Sequence, residues 1–301
     1  MGYLFLGVAL AAGVSKGYCG KRTSGAIVSN SDSMLMNLLR MVICIIIGAI
    51  LTLAQDGVGA LLPDSSLLMI AVLSGIGSAA FVVSWLLSVR TGAYMMVEVF
   101  LLLGVIVPIT LCRVFFKEQI GIWQVVGIVV LVIAVYIMTT YNATLKGALK
   151  PSAFMLLILC GLSNGIADFS QKLFVKTSPD GSVAAFNFYT YVFAALALLL
   201  AYAVFRRVDK KAGAEIRNPL AVIKPIWHFV VIMAVCLFAN SFFKTLAAGY
   251  IDAIALYPLN QGCSVVLSLL MSAILFEEKI TAKCIIGICL SFVALIMINL
   301  L

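Results

Sequence analysis

The chain has 301 residues, of which 64% are hydrophobic and 11% charged, and it carries a formal net charge of +8. A soluble globule is about 45–50% apolar and about 25% charged, so this chain has too little polar surface for a water-exposed fold and no room for a large soluble catalytic domain. Fourteen of the 20 Lys and Arg residues fall in or beside short loops on one side of the expected fold, which is the pattern of a topology signal and excludes a nucleic-acid partner.

A helical span needs about 20 apolar residues, and backbone amides in lipid must be bonded within the segment. Apolar runs bounded by turn residues and charges predict ten helices, over 2–20, 34–54, 66–89, 92–115, 120–140, 152–173, 183–205, 225–247, 252–275 and 280–300. The expected fold class is therefore an all-α integral membrane protein.

The first segment lacks a basic leader and contains Gly13, Lys16 and Gly17. It reads as a membrane helix and not as a cleaved signal peptide. Glycines at 13, 17 and 20 allow close backbone approach, and Lys16 among them is a candidate for binding an anionic solute group. In the second segment Arg40, one turn after Asn37, is expected to snorkel to the interface. Glu98 in the fourth has two open readings: a cation or proton site inside the membrane, or an interfacial carboxylate paired with Arg90.

In the sixth segment Asn164, Asp168 and Gln171 fall at i, i+4 and i+7, on one helix face, and are expected to line a cavity, with Lys172 snorkelling to the headgroups. Trp85, Asn187, Tyr189 and Tyr191 would form an aromatic wall or an interfacial belt. The connection 206–224 carries six basic residues and reads as a cytoplasmic anchor. His228 beside Trp227 is expected to be a solvated interfacial residue. Asn240 and Lys244 share a face of the eighth segment, where Lys244 either meets an anionic solute group or reaches the interface. In the ninth, Tyr257 and Pro258 precede Asn260, Gln261, Ser264, Ser268 and Ser272. The proline frees backbone carbonyls, and Asn260 and Gln261 are the expected solute contacts, while the serines suit close helix packing.

The eight cysteines lack paired spacing and read as small packing residues, not disulfides or metal ligands. The stretch SKGYCGKRT at 15–23 has Ser15 where a phosphate loop needs glycine and Arg22 where it needs Ser or Thr. No protease, lipase or metal motif is present, so no catalytic residue, metal or cofactor is expected.

Two alignments point to duplication. FFKEQIGIWQVVGIVVLVIA at 115–134 lies against LFEEKITAKCIIGICLSFVA at 275–294, pairing Phe116 with Phe276, Glu118 with Glu278, Ile120 with Ile280, Gly127 with Gly287 and Ala134 with Ala294. GVSKG lies against GLSNG, pairing Gly13, Ser15 and Gly17 with Gly161, Ser163 and Gly165. The expected halves are 1–141 and 152–301, joined by a linker over 142–151. An odd number of helices per half inserts the second copy upside down, and inverted repeats of this kind serve alternating access around a site near the midplane. Basic residues favour the loops after odd-numbered helices, fourteen against five, and so put both termini outside.

The 5 + 5 arrangement, the acidic-basic turns FFKEQIG and LFEEKIT, the glycine after each, and YPLNQG opening the ninth helix resemble the EamA-type members of the drug/metabolite transporter superfamily, over essentially the whole chain. The resemblance implies a ten-helix basket with a central cavity that moves a small polar or amphipathic solute without a cofactor. It departs at Ala12-Gly13, where the family has tryptophan-glycine, and the family habit of cytoplasmic termini opposes the charge count.

The expected function is secondary active transport by alternating access, with Lys16, Glu98, Asn164, Asp168, Lys244, Tyr257, Asn260 and Gln261 binding the solute. The rival readings are a membrane enzyme acting on lipid-linked substrates, for which only Glu277-Glu278 qualifies, and a non-transporting scaffold. The expected partners are a small-molecule substrate and membrane lipid, in a multi-pass protein of a bacterial plasma membrane, as monomer or homodimer.

Overall fold

In the computed structural model the described residues are 1–27, 29–62, 64–90, 94–119, 121–146, 151–211, 219–275 and 282–300. Lys150, Arg217, Phe276, Glu277, Glu278, Lys279 and Ile280 lie outside them, as do Ile120 and the side chains of Arg90, Glu98, Lys146, Ser272, Lys283 and Cys284. The expected linker falls partly within a helix that runs to Lys146 and partly outside the described residues.

Among the described residues the regular structure is helical: α1 (Gly2–Ser24), α2 (Asn30–Gln55), α3 (Ser65–Arg90), α4 (Tyr94–Gly104), α5 (Ile106–Phe116), α6 (Ile122–Lys146), α7 (Pro151–Thr177), α8 (Val183–Lys211), α9 (Pro219–Ile223), α10 (Trp227–Ala248), α11 (Ala253–Leu275) and α12 (Ala282–Leu300), with one 3-10 turn at Val58–Leu61. Six of the described helices are long and apolar enough to cross a membrane. Their outer faces expose large apolar side chains, such as Ile46 and Ile50 of α2 and Leu200 and Val204 of α8. Buried inside are Asn37, Arg40, Asp168, Lys172, Asn187 and Lys244. Apolar outside and polar inside is the distribution lipid requires and water forbids, so the chain is an integral, multi-pass membrane protein.

Two elements differ from the hydropathy reading. The fourth segment is not one helix but two, interrupted at Val105. Pro108 has no N–H for the Gly104 carbonyl and its ring crowds that turn; the chain closes the gap with a tighter bond from the Val105 amide to the Leu102 carbonyl, 3.2 Å. The long basic connection also holds the short helix α9, which opens on Pro219, a residue suited to a first helical position.

At the break, α4 crosses α7 at backbone contact. A methyl group on Gly104 would stand 2.2 Å from the Gly161 carbonyl oxygen, and one on Gly165 2.3 Å from that of Gly104. Small residues four apart let membrane helices approach this closely. Elsewhere α1 packs on α10 and α11, α2 on α8 and α10, α3 on α7 and α8, α4 on α11, and α6 on α12. The start of α2 is capped by Ser29 and Asp32, each side chain bonding the other's backbone amide, and the Ser31 amide donates to the Asp209 carboxylate of α8 at 2.9 Å. The basic ends of α1 and α8 therefore share one end of the bundle.

Candidate functional site

The helix faces that meet inside the bundle enclose a small polar cavity. Its lining includes Gly13, Lys16 and Gly17 of α1, Phe81 and Trp85 of α3, and Leu101 of α4. Later in the chain it takes in Asn164 of α7, Asn240 and Lys244 of α10, and Asn260, Gln261, Ser264 and Ser268 of α11. Its volume of about 40 Å³ holds about three waters at roughly 10–15 Å³ each. That is too small for a metabolite.

The strongest interaction at its edge is between α7 and α10. Lys244 Nζ lies 2.5 Å from Asp168 Oδ1, and the pair is almost wholly buried, Asp168 at 1% and Lys244 at 6% exposure. The Asn164 amide, one turn earlier on the same helix face, donates to Asp168 Oδ2 at 3.3 Å. The Tyr257 hydroxyl donates to the Asp168 backbone carbonyl at 2.6 Å, which holds α11 against α7. Burying a carboxylate at this depth without such partners would be costly. The Asn240 amide donates to the Ala9 carbonyl at 2.7 Å and fixes α10 to α1. Asn260 Oδ1 is buried and finds no hydrogen-bond partner among the described residues. Lys16 lies over the Phe81 ring, 5.2 Å from its centre.

Of the eight expected solute-binding residues, Lys16, Asn164, Lys244, Asn260 and Gln261 converge on the cavity. Asp168 and Tyr257 stand directly behind its wall. Glu98 is on α4, with its side chain outside the described residues. Phe81 and Leu101 were not singled out by sequence, because an apolar residue in an apolar segment carries no mark of the wall it joins.

Several neighbouring readings are corrected. Lys172 does not snorkel. It is 2% exposed, and its ammonium donates to the carbonyls of Ala248 at 2.9 Å and Ile251 at 2.8 Å. It also lies 4.0 Å from Glu118 and 3.9 Å from Asp252. The carbonyls at the end of α10 supply what headgroups would have supplied. Arg40 is buried in the bundle and not at an interface. Gln171 faces away from the cavity, into a chain in which its amide donates to Ser241 and the Ser241 hydroxyl to Asn187. Tyr189 and Tyr191 donate to the carbonyls of Leu61 and Leu237, and neither forms part of the cavity wall. His228 is exposed beside Trp227 and Phe229. The described cysteines are free thiols.

No curated protein matches the chain. The crystal structure of another protein superposes with a TM-score of 0.70 at 14% identity, over 98% of this chain and 95% of its own. At that identity the likeness is one of fold. Residues 151–300, which contain α7 to α12, match the EamA-like transporter family. On that match, across about half of its length, the chain belongs to the EamA-like transporter family.

Proposed function

We propose that the chain is a secondary active transporter that moves a small polar or amphipathic solute by alternating access, through ten spans arranged as two inverted five-helix halves, 1–141 and 152–301. In this reading α4 and α5 together make the fourth span and α9 belongs to a loop. The observation that carries it is the exchange symmetry of the helix pairs. The packing of α1 on α10 has its counterpart in α7 on α3, that of α11 on α1 in α4 on α7, and that of α3 on α8 in α10 on α2. Three further pairs, α2 with α8, α4 with α11 and α6 with α12, join equivalents across the halves. Gly127 of α6 packs on the carbonyl of Ala294, the residue that the alignment of the halves equates with Ala134. Two halves related in this way have a second packing of equal kind available, which is what alternating access needs.

The two halves contribute unlike chemistry to the site, and this supports an amphipathic solute. The alignment of GVSKG with GLSNG equates Lys16 with Asn164 and Gly20 with Asp168. Where Asp168 meets Lys244, Gly20 meets Trp85: a methyl group on Gly20 would stand 2.3 Å from the indole. One wall is thus aromatic and the other ionic. Lys16, Glu98, Asn164, Asp168, Lys244, Tyr257, Asn260 and Gln261 are the proposed solute-binding set, without metal, cofactor or catalytic residue. The setting is a bacterial plasma membrane, with the protein as monomer or homodimer and the basic loops inside.

Purified protein in proteoliposomes should move a member of a metabolite panel down an imposed gradient, by exchange or with protons. Absence of flux for every solute, in vesicles where the protein is folded, would return the scaffold reading. Release of a chemically altered lipid-linked substrate would instead favour the enzyme.

A further inference from the structure

Among the described residues three cations are buried in the bundle, and two of them have charged partners. Lys244 has Asp168, and Lys172 has two carbonyls with Glu118 and Asp252 close by. Arg40 is the exception. It is 1% exposed and about 15 Å along α2 from the helix's first residue at 1.5 Å per residue.

Its guanidinium makes one hydrogen bond, from Nη1 to Asn37 Oδ1 at 2.7 Å, while Nε is buried with no acceptor. Asn37 is committed in turn to the Val82 carbonyl. Among the described residues the titratable groups around Arg40 are Cys19 of α1, Cys44 of α2, Tyr191 of α8 and Cys236 of α10, none of them a carboxylate. Two of these are engaged elsewhere, Tyr191 with the Leu237 carbonyl and Cys44 with that of Ala234.

A charge taken out of water without a partner is among the costliest features a fold can hold. It is retained where a partner arrives in another state. Arg40 stands behind the wall of the cavity: Val82 follows Phe81, Cys236 is one turn before Asn240, and Cys19 lies between Gly17 and Gly20. The cavity as described is too small for a metabolite, so solute entry must part this wall.

Resting on the transporter reading, we infer that the transported solute is an organic anion and that Arg40 receives its carboxylate or phosphate when the cavity opens. The planar guanidinium suits either group, since both accept two parallel N–H bonds.

The test uses the full chain, purified as wild type, Arg40→Met and Arg40→Lys, with inorganic phosphate, benzoate and benzylamine as probes. Expected for the wild type is a rise of a few degrees in Tm with phosphate or benzoate, and none with benzylamine; which anion acts separates the phosphate from the carboxylate. Arg40→Met should lose that rise and yet melt above the wild type, because an uncompensated buried charge is gone. Arg40→Lys should keep a weakened response, by about tenfold in apparent affinity. An anion response equal in Arg40→Met and wild type, or absent from the wild type, overturns the inference. So does an Arg40→Met protein that melts below the wild type with its anion response intact, which would make Arg40 a packing residue. Arg40-dependent anion binding without flux in proteoliposomes would keep the anion site and sink the transporter reading, so the two fail separately.

Discussion

Lys244 Nζ and Asp168 Oδ1 lie 2.5 Å apart across the contact of α10 with α7, 76 residues apart in the chain and closed off from solvent. Removing one partner leaves the other as an uncompensated buried charge, at a cost of about 3–5 kcal/mol. Asp168→Asn or Lys244→Met alone should therefore lower the melting temperature sharply. The double variant Asp168→Leu with Lys244→Met should recover most of the loss and still fail to transport. Thermal unfolding in detergent and proteoliposome flux on the same preparations check both halves; a double-variant loss equal to the sum of the two single losses would mean the pair is not coupled.

Lys172 joins α7 to the end of α10 and stands close to Glu118, beyond the end of α5. Lys172→Met leaves the Ala248 and Ile251 carbonyls without this donor, each at about 1–3 kcal/mol if left buried and unpaired. This end of the bundle should loosen. Cys112, fully buried in α5 and an electrostatic neighbour of Lys172 and Glu118, is a native reporter. Its alkylation by N-ethylmaleimide, followed by mass spectrometry, should speed up several-fold in the variant. Unchanged labelling would show that other contacts hold this end closed.

Asn260 and Gln261 line the cavity, and Asn260 has an acceptor without a partner among the described residues. Alanine at either position should lower stability by no more than about 1 kcal/mol, the net worth of a typical hydrogen bond. Flux should fall about tenfold, the size of one lost hydrogen bond to solute at about 1.4 kcal/mol. A large drop in stability instead would assign these amides to helix packing.

Gly104 and Gly7 are both helical glycines and should respond oppositely to alanine. At Gly104 the added carbon meets the Gly161 carbonyl oxygen, while at Gly7 nothing stands within 4 Å. Gly104→Ala should destabilise by at least the 1–3 kcal/mol typical of overpacking, roughly, because both groups in conflict are backbone. Gly7→Ala should be neutral or gain about 0.5–1 kcal/mol from helix propensity. Melting temperatures in detergent decide the comparison.

The helical, membrane-embedded class was legible in the sequence because hydropathy belongs to consecutive residues: the apolar runs and the punctuating Gly, Pro and charged residues mark helix after helix without reference to any neighbour. The family likeness was legible for the same reason, in local motifs such as YPLNQG. Face periodicity also placed Asn164 with Asp168 and Asn240 with Lys244, since residues four apart share a helix face. What those faces meet was decided only by tertiary structure. Lys172 and Arg40 read alike in sequence, each a long cation expected at an interface. The fold gives Lys172 the carbonyl end of α10 and gives Arg40 a single asparagine, because the depth of a side chain and the groups within its reach depend on helices that arrive from elsewhere in the chain. The break at Val105 belongs to the same class: Pro108 weakens the turn before it wherever it stands, but Gly161 and Gly165, contributed by α7, let the broken segment pack at backbone distance.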